Sequence, residues 1–228
     1  MKRIVVGYGC LLLLACPLSL VAHEPSQAWP DTVLSRTQAL AELQSLNAAL
    51  LSHPSATLTL EQWCGAHHLS QDVQVIARRV HGQDKPLPED ARALLGISPG
   101  EPVRYRRVAL RCGDVVLSDA DNWYVPSRLT DAMNQQLDHS DVPFGKVVQP
   151  LHFRRQTLSA ELLWQPLPPG WDSGAMLPPP TGKPLILPAH VLQHRAVLYT
   201  ASGQPFSLVV ESYTSQVLTH PESADTGK

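Results

Sequence analysis

Two runs, VRYRRVALRC and VVLSDADNWYV, stand on either side of the dipeptide Gly113-Asp114. Both are rich in β-branched and aromatic residues, and a Gly-Asp pair between such runs marks a tight hairpin turn. No feature of the chain constrains the fold more. A two-residue connection forces the runs antiparallel, so the sheet they begin grows by hairpins rather than by helical crossovers. With Gly113-Asp114 as that turn, Cys112 faces Val115, Leu110 faces Leu117, Arg107 faces Ala120 and Arg106 faces Asp121. Alternation then collects Arg107, Ala120, Asn122 and Tyr124 on one face, and Val108, Leu110, Leu117 and Trp123 on the other. A slip by one residue would reverse the assignment.

The remaining segments fit an α+β plan. Leu40, Leu43, Leu46 and Leu50 keep helical spacing across Ser35 to Leu51. Thr59-Leu60-Glu61-Gln62 has the form of a capping box that starts a short helix through Trp63 toward His67. Val73 to Val80 reads as a strand, and Pro88 to Leu95 as a helix stopped by Gly96. Thr130 suits the N-cap of a helix carrying Met133 and Leu137, and Pro143-Phe144-Gly145 makes a turn. Residues 151–164 read as a long strand or a strand with a bulge. His190 to Thr200 and Phe206 to Val217 form a last hairpin about Ser202-Gly203-Gln204-Pro205. Residues 165–183, QPLPPGWDSGAMLPPPTGK, hold too much proline and glycine for regular structure, and read as a flap or a long solvated connection. The sum is roughly six strands joined mostly by hairpins, with helices gathered toward the N-terminal half, an α+β fold on an antiparallel sheet.

The 228 residues, 43% hydrophobic, suffice for one sizeable core. A formal net charge of -2 gives no field to gather nucleic acid. The start, MKRIVVGYGCLLLLACPLSLVA, has the basic onset, apolar stretch and small-residue end of a secretory signal over residues 1–22. Leu13-Leu14-Ala15-Cys16 also resembles a bacterial lipobox, in which a lipid on Cys16 would attach the product to a membrane. The expected division is therefore signal 1–22, helical segment 23–72, sheet domain 73–218 and a polar, disordered tail 219–228. Export leaves Cys64 and Cys112, which can pair in an oxidising compartment or remain apart as buried thiols. Cys64-Gly65-Ala66-His67-His68 has metal-like spacing without a second cluster, so a helix end carrying histidines is the better reading.

Glu211 lies within SLVVESY, apolar enough for a central strand. A carboxylate there must find a partner or take up a proton, which makes it either a structural bridge or a general acid. Arg106, Arg107 and Arg111 put guanidinium groups on the neighbouring hairpin, where an inward arginine beside a buried glutamate suits a small acid, while Arg106 and Arg111 read as a solvated charged strand face paired with acids of the chain. His152, His190 and His194 have no joint spacing, and no Ser-His-Asp order, phosphate-binding glycine loop or Cys-x-x-Cys occurs.

ALLGISPGEPV, residues 93–103, followed by YRRVALRCGDVVLSDADNWYVP, resembles the stretch shared by chorismate lyases and the UTRA effector-binding domains of GntR-type regulators. The resemblance covers about residues 73–217 and implies a single six-stranded antiparallel sheet with helices packed on one side and the ligand site within. Residue by residue, it places Arg107 on the ring carboxylate, Phe144 and Gly145 in a Pro-x-Gly turn whose backbone also meets that carboxylate, and Glu211 at the opposite, 4-hydroxyl end. Asn122 stands where the lyases carry a second arginine and would supply a neutral hydrogen-bonding group, with Asp119 and Asp121 pointing away; the alternative is that the two acids pair with Arg106 and Arg111 at the surface. The implied activity is elimination of pyruvate from chorismate to leave 4-hydroxybenzoate, with Arg107 and Glu211 catalytic and with no metal or organic cofactor. The alternative is a binding module that captures a small-molecule carboxylate without chemistry.

Overall fold

The computed structural model describes residues 29–219. The signal segment, Cys16 and all of the tail beyond Thr219 lie outside the described residues. Five α-helices, α1 (Val33–Ser52), α2 (Ala56–Ala66), α3 (Ala91–Leu95), α4 (Asp131–His139) and α5 (Phe144–Val147), accompany six strands. The strands are β1 (Val75–Arg79), β2 (Arg104–Cys112), β3 (Val115–Tyr124), β4 (Arg154–Leu162), β5 (His190–Tyr199) and β6 (Pro205–Thr214). They form one antiparallel sheet in the order β1-β2-β3-β6-β5-β4, so the fold is α+β with a single open six-stranded antiparallel sheet. Among the described residues no helix is long and apolar enough to cross a membrane.

Helix α1 opens where the Thr32 hydroxyl accepts the Ser35 N–H at 3.1 Å, which satisfies one of the free donors of the first turn. Its inward stripe is Ala39, Leu43, Leu46 and Leu50, none more than 1% exposed. Each fully buried leucine contributes about 1.5–3 kcal/mol of transfer free energy. The start of α2 differs from expectation. Ser55, not Thr59, is the N-cap, and Glu61 leaves its own helix to accept the Val75 N–H at 2.8 Å and to pair with Lys146. Pro54 forces His53 into extended backbone and ends α1 there, so Ser55 is the first hydroxyl after the break that can cap the next helix. Cys64 on α2 and Cys112 at the end of β2 are joined as a disulfide. The bridge lies inside the core cluster in which both helices meet β1 and β2.

Helices α1, α2, α4 and α5 cover one face of the sheet, and the one-turn helix α3 packs on the other against Trp123, Val197 and Leu208. Gly96 ends α3 in the left-handed region at φ 57°, where a side chain would be strained. Thr130 caps α4 as expected, accepting the Met133 N–H at 3.2 Å. Strand β4 bulges between Thr157 and Ser159.

A second irregularity decides more. Between β2 and β3 the register runs Cys112 to Val115 and Arg111 to Val116, then shifts so that Leu110 meets Ser118. Leu117 is the extra residue of a β-bulge, and every pair beyond it moves by one: Arg106 faces Asn122 and Arg107 faces Asp121. The shift has a physical reason. Strict alternation from a buried Leu117 would carry Asp119 and Asp121 into the helix-covered face together with it. With the bulge, Leu117 and Ser118 are both buried, yet the acids turn to the opposite face.

Candidate functional site

Three adjacent strands build the floor of a cavity on the helix-covered face. Arg106, Val108 and Leu110 come from β2, Ala120 and Asn122 from β3, and Val209 and Glu211 from β6. Residues 54–57 at the start of α2 and Phe144-Gly145 at the start of α5 close the top, and Phe153, Arg155 and Leu198 close the side. The volume is about 50 Å³, several times the ~10–15 Å³ that one water requires. Pro54, Ser55, Gly145 and Phe153 also line an outer hollow of about 170 Å³, which makes them the mouth. Gly145 is a glycine for close approach: a Cβ there would stand 3.3 Å from the Ser55 Oγ and tighten that mouth.

Arg106 is 3% exposed, yet among the described residues it takes part in no ion pair. Its Nη2 donates to the carbonyls of Ser140 at 3.3 Å and Val142 at 3.2 Å, and its Nε has no partner. Burial, assisted by the nearby Arg79, pushes its pKa down to about 10, so it remains a cation at neutral pH. Beside it, the Asn122 amide accepts the Ser207 hydroxyl at 2.6 Å through Oδ1 and leaves Nδ2 without a partner.

At the far end the Glu211 carboxylate accepts Arg155 Nη2 at 2.6 Å and the Tyr213 hydroxyl at 3.4 Å. Burial alone would lower the pKa of Arg155, but the Glu211 charge, Tyr213 and the hydrogen bond to Glu211 together outweigh it and hold the guanidinium above its ordinary value. Tyr213, fully enclosed and beside the same carboxylate, is raised well above a normal phenol. His194, across β5 from Glu211, is kept neutral: burial and then Arg155 push its pKa down to about 4, while Nε2 meets Asn47 Oδ1 at 2.8 Å.

Of the residues singled out from the sequence, Asn122, Phe144, Gly145 and Glu211 come together around this cavity, and Arg107 does not. Arg107 lies on the opposite face, 3.7 Å from Asp121, which also receives the Tyr105 hydroxyl at 2.6 Å and pairs with Lys85. Strict alternation along β2 puts Arg106, not Arg107, on the cavity face with Val108 and Leu110, and the bulge at Leu117 turns Ala120 and Asn122 of β3 to that same face. Asp119 and Asp121 do point away, Asp119 accepting His190 Nε2 at 2.8 Å. Arg155 was missed. Its only sequence signal was the Arg-Arg pair in a strand that otherwise alternates, and nothing along the chain links it to Glu211.

The proline-rich segment does not cover this cavity. It packs against the N-terminal end of α1, where Arg36 donates to the Pro166 carbonyl at 2.8 Å and Thr181 to Asp31 at 2.6 Å. The hollow beneath it, about 470 Å³, is walled by prolines along half of its lining, and its one charged group, Arg36, is held by Asp31 at 2.6 Å.

The fold and site together describe an antiparallel α+β sheet protein with a small, buried, cationic cavity. The chain is 52% identical over 206 residues, covering 90% of its length and 87% of the other's, to the uncharacterized protein y4mC of Sinorhizobium fredii, and it belongs to the family of that protein. No family model matches the chain. Among solved structures it is similar to PhnF of Mycobacterium smegmatis, at 16% identity over 73% of this chain and 66% of that one, with a TM-score of 0.47. The effector domain of the same PhnF gives 16% identity, coverages of 71% and 89%, and a TM-score of 0.45. YydK of Bacillus subtilis gives 17% identity, a TM-score of 0.38 and coverage of 64% of this chain, which spans 60% of the YydK chain.

Proposed function

We propose that the cavity binds a small aromatic or cyclic carboxylic acid, in a protein exported by its N-terminal segment to the cell envelope. The observation that carries this reading is a set of buried donors without acceptors: Arg106 Nε, Asn122 Nδ2 and Arg155 Nε all lack partners among the described residues and all belong to residues that line one cavity. Orphaned buried donors are destabilising unless a ligand satisfies them, and a carboxylate is the acceptor-only group that suits a guanidinium and an amide together. Val108, Leu110, Ala120, Phe144, Phe153, Leu198 and Val209 give the ring its apolar walls. Glu211, fixed by Arg155, accepts a hydroxyl at the far end.

The second reading is the chorismate lyase reaction, with Arg106 in the role that the resemblance gives Arg107. It is supported by Arg106, Phe144-Gly145 and Glu211 lining one cavity in the order the resemblance requires. Binding leads because a carboxylate shared with a guanidinium at 2.6 Å acts as a hydrogen-bond acceptor rather than a proton donor. One experiment tests both. The purified chain is titrated with 4-hydroxybenzoate by calorimetry and incubated with chorismate. Saturable 4-hydroxybenzoate binding without pyruvate release supports the binder, pyruvate release that disappears in Glu211→Gln supports the lyase, and neither signal refutes the site.

A further inference from the structure

The charged groups that line the cavity are Arg106, Arg155 and Glu211. Arg155 and Glu211 neutralise one another at 2.6 Å, and at the mouth Lys146 is likewise taken up by Glu61. One cation, Arg106, therefore remains to be balanced. The position facing Arg106 across the strands is an uncharged amide, Asn122, whose orientation is set by the Ser207 hydroxyl on its Oδ1 so that Nδ2 is the group turned to a ligand.

We infer that the site selects monocarboxylates and excludes dicarboxylates of the same skeleton, with Asn122 as the residue that sets this limit. This rests on the carboxylic-acid reading above and narrows it to a chemical class. A first carboxylate on Arg106 cancels the excess charge and uses the Asn122 donor. A second carboxylate at the far end of a ring meets Glu211, whose cation is already engaged, and two like charges in a water-poor cavity repel strongly. A hydroxyl at that end donates to Glu211 instead. By the same count a dianion such as chorismate is bound more weakly than the monoanion left after it loses pyruvate, so the site holds a product-like acid rather than a substrate-like one.

The test compares 4-hydroxybenzoate, benzoate, terephthalate and isophthalate by calorimetry at neutral pH, using the full chain and the variants Asn122→Arg and Glu211→Gln, with circular dichroism as the folding control. The expected result is terephthalate and isophthalate binding at least tenfold weaker than 4-hydroxybenzoate, with the gap closing in whichever variant folds, because Asn122→Arg adds a cation and Glu211→Gln removes an anion, each making the cavity one unit more positive. Equal or tighter binding of the dicarboxylates overturns the charge selection while leaving the carboxylate site in place. A gap that persists unchanged in a folded variant overturns the role given to these charges. Absence of binding by all four acids overturns the reading of the cavity itself.

Discussion

Replacing Arg106 with methionine separates a residue kept for a ligand from one kept for the fold. Its pKa falls from 12.5 to about 10 because the cation is buried and lies near Arg79. At ~1.4 kcal/mol per pKa unit, holding that charge costs the empty protein roughly 3 kcal/mol at neutral pH. The sign follows from the direction: a base depressed by folding carries its penalty at every pH below its folded value, so removing the charge stabilises at pH 7. Against this gain stand the hydrogen bonds to the Ser140 and Val142 carbonyls, about 1–1.5 kcal/mol each. The two effects nearly cancel. Arg106→Met should unfold in urea within about 1 kcal/mol of the wild type, since methionine also fills much of the same volume. Ligand binding should behave differently, because losing the buried partner of a carboxylate costs ~2–5 kcal/mol, or about thirtyfold or more in affinity for 4-hydroxybenzoate. Arg107→Met, on the opposite face, serves as the control and should bind within about twofold of the wild type. If Arg106→Met loses more than about 3 kcal/mol of stability and keeps its affinity, Arg106 is a structural residue and not a ligand-binding one.

Arg155→Met leaves the Glu211 carboxylate buried without its cation and should destabilise by ~3–5 kcal/mol. Adding Glu211→Gln should restore most of that, so a double-mutant cycle in urea showing no coupling refutes the pairing. The disulfide between Cys64 and Cys112 closes a span of 48 residues. Its removal by Cys112→Ser or by reduction should lower stability by about 4 kcal/mol, seen as a lower thermal midpoint in reductant that Cys64→Ser does not show further. His194 is fully buried, and its pKa is pushed down from 6.5 to about 4, so between those values the unfolded chain binds a proton that the folded one refuses. Stability should be complete above pH 6.5 and fall by roughly 3 kcal/mol as the pH drops to 4. His194→Gln should flatten that slope, and an unchanged slope would place the acid sensitivity elsewhere.

The strands and most of the helices were legible because each depends on local chemistry: period-two alternation in β2 and β3, the Thr130 hydroxyl ahead of α4, glycine at the end of α3. The choice of Ser55 over Thr59 was not, since two equivalent hydroxyls stood one turn apart. Within the site, Glu211 was visible as an acid inside an apolar strand, and Asn122 as a polar residue on the face beside it. Arg155 stayed hidden because its significance is a long-range contact, 56 residues from Glu211 along the chain.

The amino-acid order by itself determined that this chain builds a hairpin-joined antiparallel sheet with a carboxylate in a central strand, since hydrophobic period and turn chemistry act over a few residues. Which arginine shares the cavity with Asn122 was decided only by the tertiary structure. Side chains alternate strictly along a strand, so one extra residue at Leu117 turns Ala120 and Asn122 to the face of Arg106 instead of that of Arg107. The residue that bulges is chosen by what the assembled core must bury and which acids it must keep out, a balance that no short window of sequence contains.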